Sequence, residues 1–123
     1  MITILNDSPE NVAAFNATGQ INREDFENIV IPHVKDKVDR FKELNYLLYL
    51  DADLDGSNVK SWLSQALSNL NSISQYNRVA IVSDYHDVQS FTKITGCENF
   101  KIFKKEDVYN ALFWCNKGIE PER

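Results

Sequence analysis

The sequence predicts an α/β fold with a mostly parallel sheet, and three observations carry that reading. A continuous apolar run, Leu44 to Leu50, and the stretch Arg78-Val79-Ala80-Ile81-Val82 read as strands buried on both faces. Segments with apolar residues at helical spacing alternate with those runs. At the start, two short strand candidates are separated by a cluster of turn formers.

The elements follow in order. Ile2 to Leu5 is a short apolar run, stopped by Asn6-Asp7-Ser8-Pro9. Val12 to Thr18 is the second strand, ended by Gly19; the short connection predicts an antiparallel hairpin. Asn22 caps the first helix, with Glu24 and Asp25 where the helix dipole favours acidic residues. Phe26, Ile29, Val30, Val34, Val38 and Phe41 form its apolar face. Pro32 removes one backbone donor and should kink or split this helix. After the strand Leu44 to Leu50 and the loop Asp51 to Gly56, Ser57 or Asn58 opens a second helix bearing Val59, Trp62, Leu63, Ala66, Leu67 and Leu70. Arg78 to Val82 is a buried strand ended by Ser83-Asp84. His86 to Thr95 is read as a third helix that stops at Gly96. Phe100 to Phe103 is a last strand, and Glu106 to Asn116 a fourth helix. The order β-β-α-β-α-β-α-β-α gives about five strands and about four helices with right-handed crossovers.

The 123 residues suit one domain, with residues 118–123 as a frayed tail. Apolar residues at 43% and charged residues at 25% exclude a disordered chain. No apolar run reaches the roughly 20 residues of a membrane span. A net charge of −5 argues against nucleic acid as the main partner. Cys97 and Cys115 share no Cys-x-x-Cys spacing and read as reduced thiols; Cys115, in an aromatic stretch, reads as buried and inert. With no leader-like N-terminus, a cytoplasmic protein is expected.

Several segments together resemble a known family: Ile2-Thr3-Ile4-Leu5 followed by Pro9-Glu10-Asn11-Val12, the Ile31-Pro32 step, the Asp53-x-Asp55-Gly56 loop, and Val79-Ala80-Ile81-Val82-Ser83-Asp84. Their order and spacing are similar to those of the SpoIIAA-like family. The resemblance implies the STAS-like fold, named for sulfate transporter domains and anti-anti-sigma factors, with helices mainly on one face of the sheet. It does not imply one activity. Anti-anti-sigma factors carry a phosphorylatable Ser or Thr before the glycine of an Asp-Ser-x-Gly type motif. Here Ser57 follows Gly56, which counts against such a switch, and the bland role of Ser57 is to cap the helix.

Asp51, Asp53, Asp55 and Gly56 match the first half of a calcium loop, but its twelfth position is Trp62 instead of Glu, so no metal is expected. The loops after the two buried strands gather Asp53, Asp55, Ser57, Asp84, Tyr85 and His86 at the carboxyl edge of the sheet, where open α/β folds bind ligands. A solvated acidic rim is the favoured reading of that cluster. His86 beside Asp84 or Asp55 is the only candidate base for a small hydrolase or transferase, and neither a nucleophile motif nor a phosphate loop accompanies it. Phe113 and Trp114, being adjacent, cannot face the same direction.

These residues point to a non-enzymatic binding or regulatory module without a cofactor. It would bind an apolar small molecule, a lipid or a protein partner through Asp53, Asp55, Ser57, Trp62, Asp84, Tyr85 and His86, with the pocket between the sheet and the second and third helices. A phospho-regulated antagonist of an anti-sigma factor, switched at Ser57, is the alternative. Peripheral membrane contact and a homodimer paired through the first strand are left open.

Overall fold

A computed structural model describes residues 2–5, 8–19, 21–51, 59–70, 76–84 and 99–118, giving only the backbone for 59–64. Its strands are β1 (Ile2–Ile4), β2 (Val12–Thr18), β3 (Leu44–Asp51), β4 (Tyr76–Val82) and β5 (Phe100–Phe103). They form one five-stranded sheet in the order β1-β2-β3-β4-β5. β1 pairs antiparallel with β2, and every later pair is parallel. The expected hairpin and parallel sheet are therefore both present.

Three helical bodies are described. The first runs through α1 (Arg23–Asp25), a π-helical stretch (Phe26–Val30) and α2 (Ile31–Phe41). The second is α3 (Val59–Leu70). The third is α4 (Val108–Lys117), entered through a 3-10 turn at Lys105–Asp107. The segment read as a helix from His86 to Thr95 lies wholly outside the described residues, as do residues 119–123. Gly118, assigned to the tail from sequence, caps α4 at φ 79°, a left-handed conformation that glycine adopts without strain.

Asn22 caps the first helix as expected, its side chain accepting from the Asp25 N–H at 2.8 Å. Pro32 neither breaks nor splits the helical run. The turn ahead of it widens instead, and the Ile31 N–H bonds back to the Phe26 carbonyl, one residue further than in an α-helix. Such a wide turn accommodates a ring that supplies no donor.

Alternation along the strands divides the core. Ala13, Phe15, Tyr46, Leu48, Val79 and Ile81 face one way, packed by Phe26, Val30 and Val34 of the first helix and Leu67 and Leu70 of α3. Val12, Ala14, Leu47, Ala80 and Val82 face the other way, covered by Ala111, Leu112, Trp114 and Cys115 of α4. Cys115 is buried, with its thiol 3.6 Å from the Tyr46 carbonyl. Trp114 is 5% exposed and its neighbour Phe113 is 39% exposed, so the two point apart.

Tyr46 is fully buried among Phe15 and Tyr76, and its hydroxyl has no hydrogen-bond partner among the described residues. Burial pushes its pKa far up. An unpaired buried hydroxyl costs more than the bond it could make in water, so Tyr46→Phe should raise stability by about 1 kcal/mol. Urea unfolding checks this; a loss of similar size would mean the hydroxyl is bonded after all.

Candidate functional site

Two places gather polar groups near apolar surface. The first is the carboxyl edge of the sheet. β3 ends at Asp51, and Asp84 follows β4 after Ser83. Lys105, just past β5, joins them. Its Nζ donates to Asp51 Oδ1 at 2.8 Å, and its backbone N–H donates to Asp84 Oδ1 at 3.2 Å. The hydrogen bond to Asp51 is the main cause that lifts the Lys105 pKa above its ordinary value. Asp84 is exposed. The described part of the rim is thus an ion-paired clasp across three strand ends, and such exposed pairs contribute little to stability. Lys105 was not singled out from sequence; its place directly after the last strand, at the edge where Asp51 and Asp84 also end, was the available signal.

Of the other site residues inferred from sequence, Asp53, Asp55, Ser57, Tyr85 and His86 lie outside the described residues. Trp62 belongs to α3, but its side chain is outside them too.

The second place is a cleft between the first helical run and α3. It encloses about 350 Å³ and is lined by Arg23, Phe26, Glu27, Ile31, Lys35, Gln65, Ala66, Asn69 and Leu70. That volume is at the small end of the ligand-pocket range. Phe26 and Leu70 are buried and Ile31 and Ala66 half-buried, so the floor is apolar. Arg23, Glu27, Lys35, Gln65 and Asn69 are exposed and form the rim. Phe26 and Glu27 belong to the π-helical turn, so the widening that accommodates Pro32 also shapes this wall. Across the cleft, Arg23 Nη2 donates to Gln65 Oε1 at 3.2 Å. The chain leaves β2 at Thr18 and enters α1 at Arg23, so the Arg23 end lies toward the same sheet edge as Asp84. In the sequence these residues read only as faces of two amphipathic helices, and the pocket was expected between the sheet and the second and third helices.

Beside the cleft, His33 meets Phe15 edge-on, with ring centroids 5.3 Å apart. Lys37, one turn on, is buried and donates to the Glu10 carbonyl. Desolvation first, then the Lys37 charge, hold the His33 pKa below 6.5; Asp36 pulls the other way and Arg40 adds the smallest lowering. The unfolded chain therefore binds a proton at this residue that the folded chain resists. Stability should fall as pH drops below 6.5 toward the lowered folded pKa, and should be level above it. Thermal melts across that window check this; His33→Gln should flatten the slope.

A family model described as SpoIIAA-like matches residues 12–116. The matched span runs from the start of β2 into α4 and takes in both the cleft and the Lys105 clasp. No curated protein matches the chain. No solved structure matches it either.

Proposed function

The chain belongs to the SpoIIAA-like family, and from that premise we propose a non-enzymatic STAS-like regulatory module that acts by binding an apolar small molecule or lipid. The observation that carries this is the cleft: an apolar floor of Phe26, Ile31, Ala66 and Leu70 under a polar rim, with about 350 Å³ to fill. Fixed apolar surface with a few polar groups at its mouth is the usual make-up of a ligand site. The sequence offers no nucleophile paired with a base, which favours binding over turnover. No helix among the described residues is long and apolar enough to cross a membrane.

In the sequence, the segment bearing Asp53, Asp55 and Ser57 joins β3 to α3, whose later turns form one wall of the cleft. A protein partner is the second reading, favoured by Tyr109 at 75% and Phe113 at 39% exposure, one turn apart on α4. Phosphorylation of Ser57 would belong to that second reading.

Native mass spectrometry of gently purified protein, followed by solvent extraction, tests the proposal. A discrete extra mass released as an apolar compound is the expected result. A clean unliganded mass that stays unchanged on incubation with apolar compounds would overturn it in favour of the protein partner.

A further inference from the structure

Building on the binding reading above, we propose that the cleft selects small organic anions: an apolar body with one carboxylate, sulfonate or phosphate head, held by Arg23. Three observations converge. The chain carries −5 overall, yet the cleft rim holds two cations, Arg23 and Lys35, against one carboxylate, Glu27. Among the described residues Arg23 makes no ion pair, and its guanidinium donates to neutral Gln65 on the facing helix at 3.2 Å. That bond fixes the guanidinium across the opening and leaves most of its five donors for a ligand.

The spacing assigns different roles to the two cations. Arg23 and Lys35 are twelve residues apart in one helical run, about 18 Å at the helical rise. A ligand that fits about 350 Å³ cannot place a single charged group on both. Arg23, held by Gln65, is the anchor. Lys35, exposed at the other end, adds only a screened, longer-range attraction. Between them Phe26, Ile31, Ala66 and Leu70 take the apolar body. Glu27, one turn from Arg23, disfavours a second negative charge and so limits the ligand to one anionic head.

Two dyes with the same apolar body separate charge from apolarity: anilinonaphthalene sulfonate and its uncharged parent, N-phenylnaphthylamine. Fluorescence titration of the wild type should show the sulfonate bound about tenfold tighter, the scale of one charge-assisted hydrogen bond. Arg23→Gln should bring the two affinities together. Lys35→Gln should weaken only the sulfonate, about twofold, and Glu27→Gln should strengthen it by a similar factor. Ala66→Trp, which fills the cleft, should abolish both dyes while far-ultraviolet circular dichroism and the cooperative thermal melt stay native. Equal affinities in the wild type, or a preference that survives Arg23→Gln, would overturn the anion inference and leave the binding reading standing. Dye binding untouched by Ala66→Trp, or no binding of either dye, would overturn the cleft as a site and both readings with it.

Discussion

Phe15→Ala should cost about 3–5 kcal/mol, the scale of emptying a large aromatic site in a closed core. Phe15 is 0% exposed at the middle of β2, where it faces both the first helix and the neighbouring strands. Its ring meets His33 at 5.3 Å and Tyr46 at 5.6 Å, and its backbone lies between Ile4 of β1 and Leu48 of β3. The site cannot collapse easily, because the flanking strands fix the backbone on both sides. Domains of this size are stable by only about 5–15 kcal/mol, so the variant should be close to unfolded at room temperature. Urea titration followed by circular dichroism measures it. A midpoint within the usual scatter of the wild type would mean that this face of the sheet is not the main core.

Arg78→Met should cost about 2–3 kcal/mol, through loss of charged hydrogen bonds that close the end of α4. From β4, Arg78 Nε donates to the Cys115 carbonyl at 2.8 Å and Nη2 to the Asn116 carbonyl at 3.1 Å. Those carbonyls belong to the last turn, which has no later helical N–H to accept. A cation there also complements the negative end of the helix dipole. Gly118 closes the same turn through its N–H to the Trp114 carbonyl at 2.7 Å. Its φ of +79° is what favours glycine at 118, whereas the Cβ contact, 2.9 Å from Arg78 Nη1, is with the end of a flexible side chain that can shift. Methionine keeps much of the apolar stem of Arg78 and removes its donors. Amide hydrogen exchange in α4 should accelerate more than in α3. Uniform exchange would show that water replaces these bonds without loss.

What was legible in the sequence and what was not follow from the physics. Leu44 to Leu50 was readable as a doubly buried strand because helices cover both faces of the sheet, through Tyr46 and Leu48 on one side and Leu47 on the other. Phe100 to Phe103 matched β5 residue for residue. Cap chemistry located Asn22. Pro32 was legible as a disturbance but not as a π turn, because a missing donor says nothing about whether the backbone bends or widens. The cleft was illegible for a different reason. Arg23 and Gln65 lie on two helices 42 positions apart, and the spacing of helices across a sheet depends on core packing that no local pattern encodes. Asp84 lies at the end of β4, and Lys105, whose backbone N–H donates to it, sits in a short turn between β5 and α4 that no sequence pattern marks.

Whether the cleft between the first helical run and α3 holds a ligand decides the function most directly. Native mass spectrometry of wild type and Ala66→Trp, purified side by side from the same host, tests that. An apolar compound carried by the wild type and absent from the variant, with both chains folded, is the expected result. An identical load on the two proteins, or none on either after incubation with apolar anions, would contradict it.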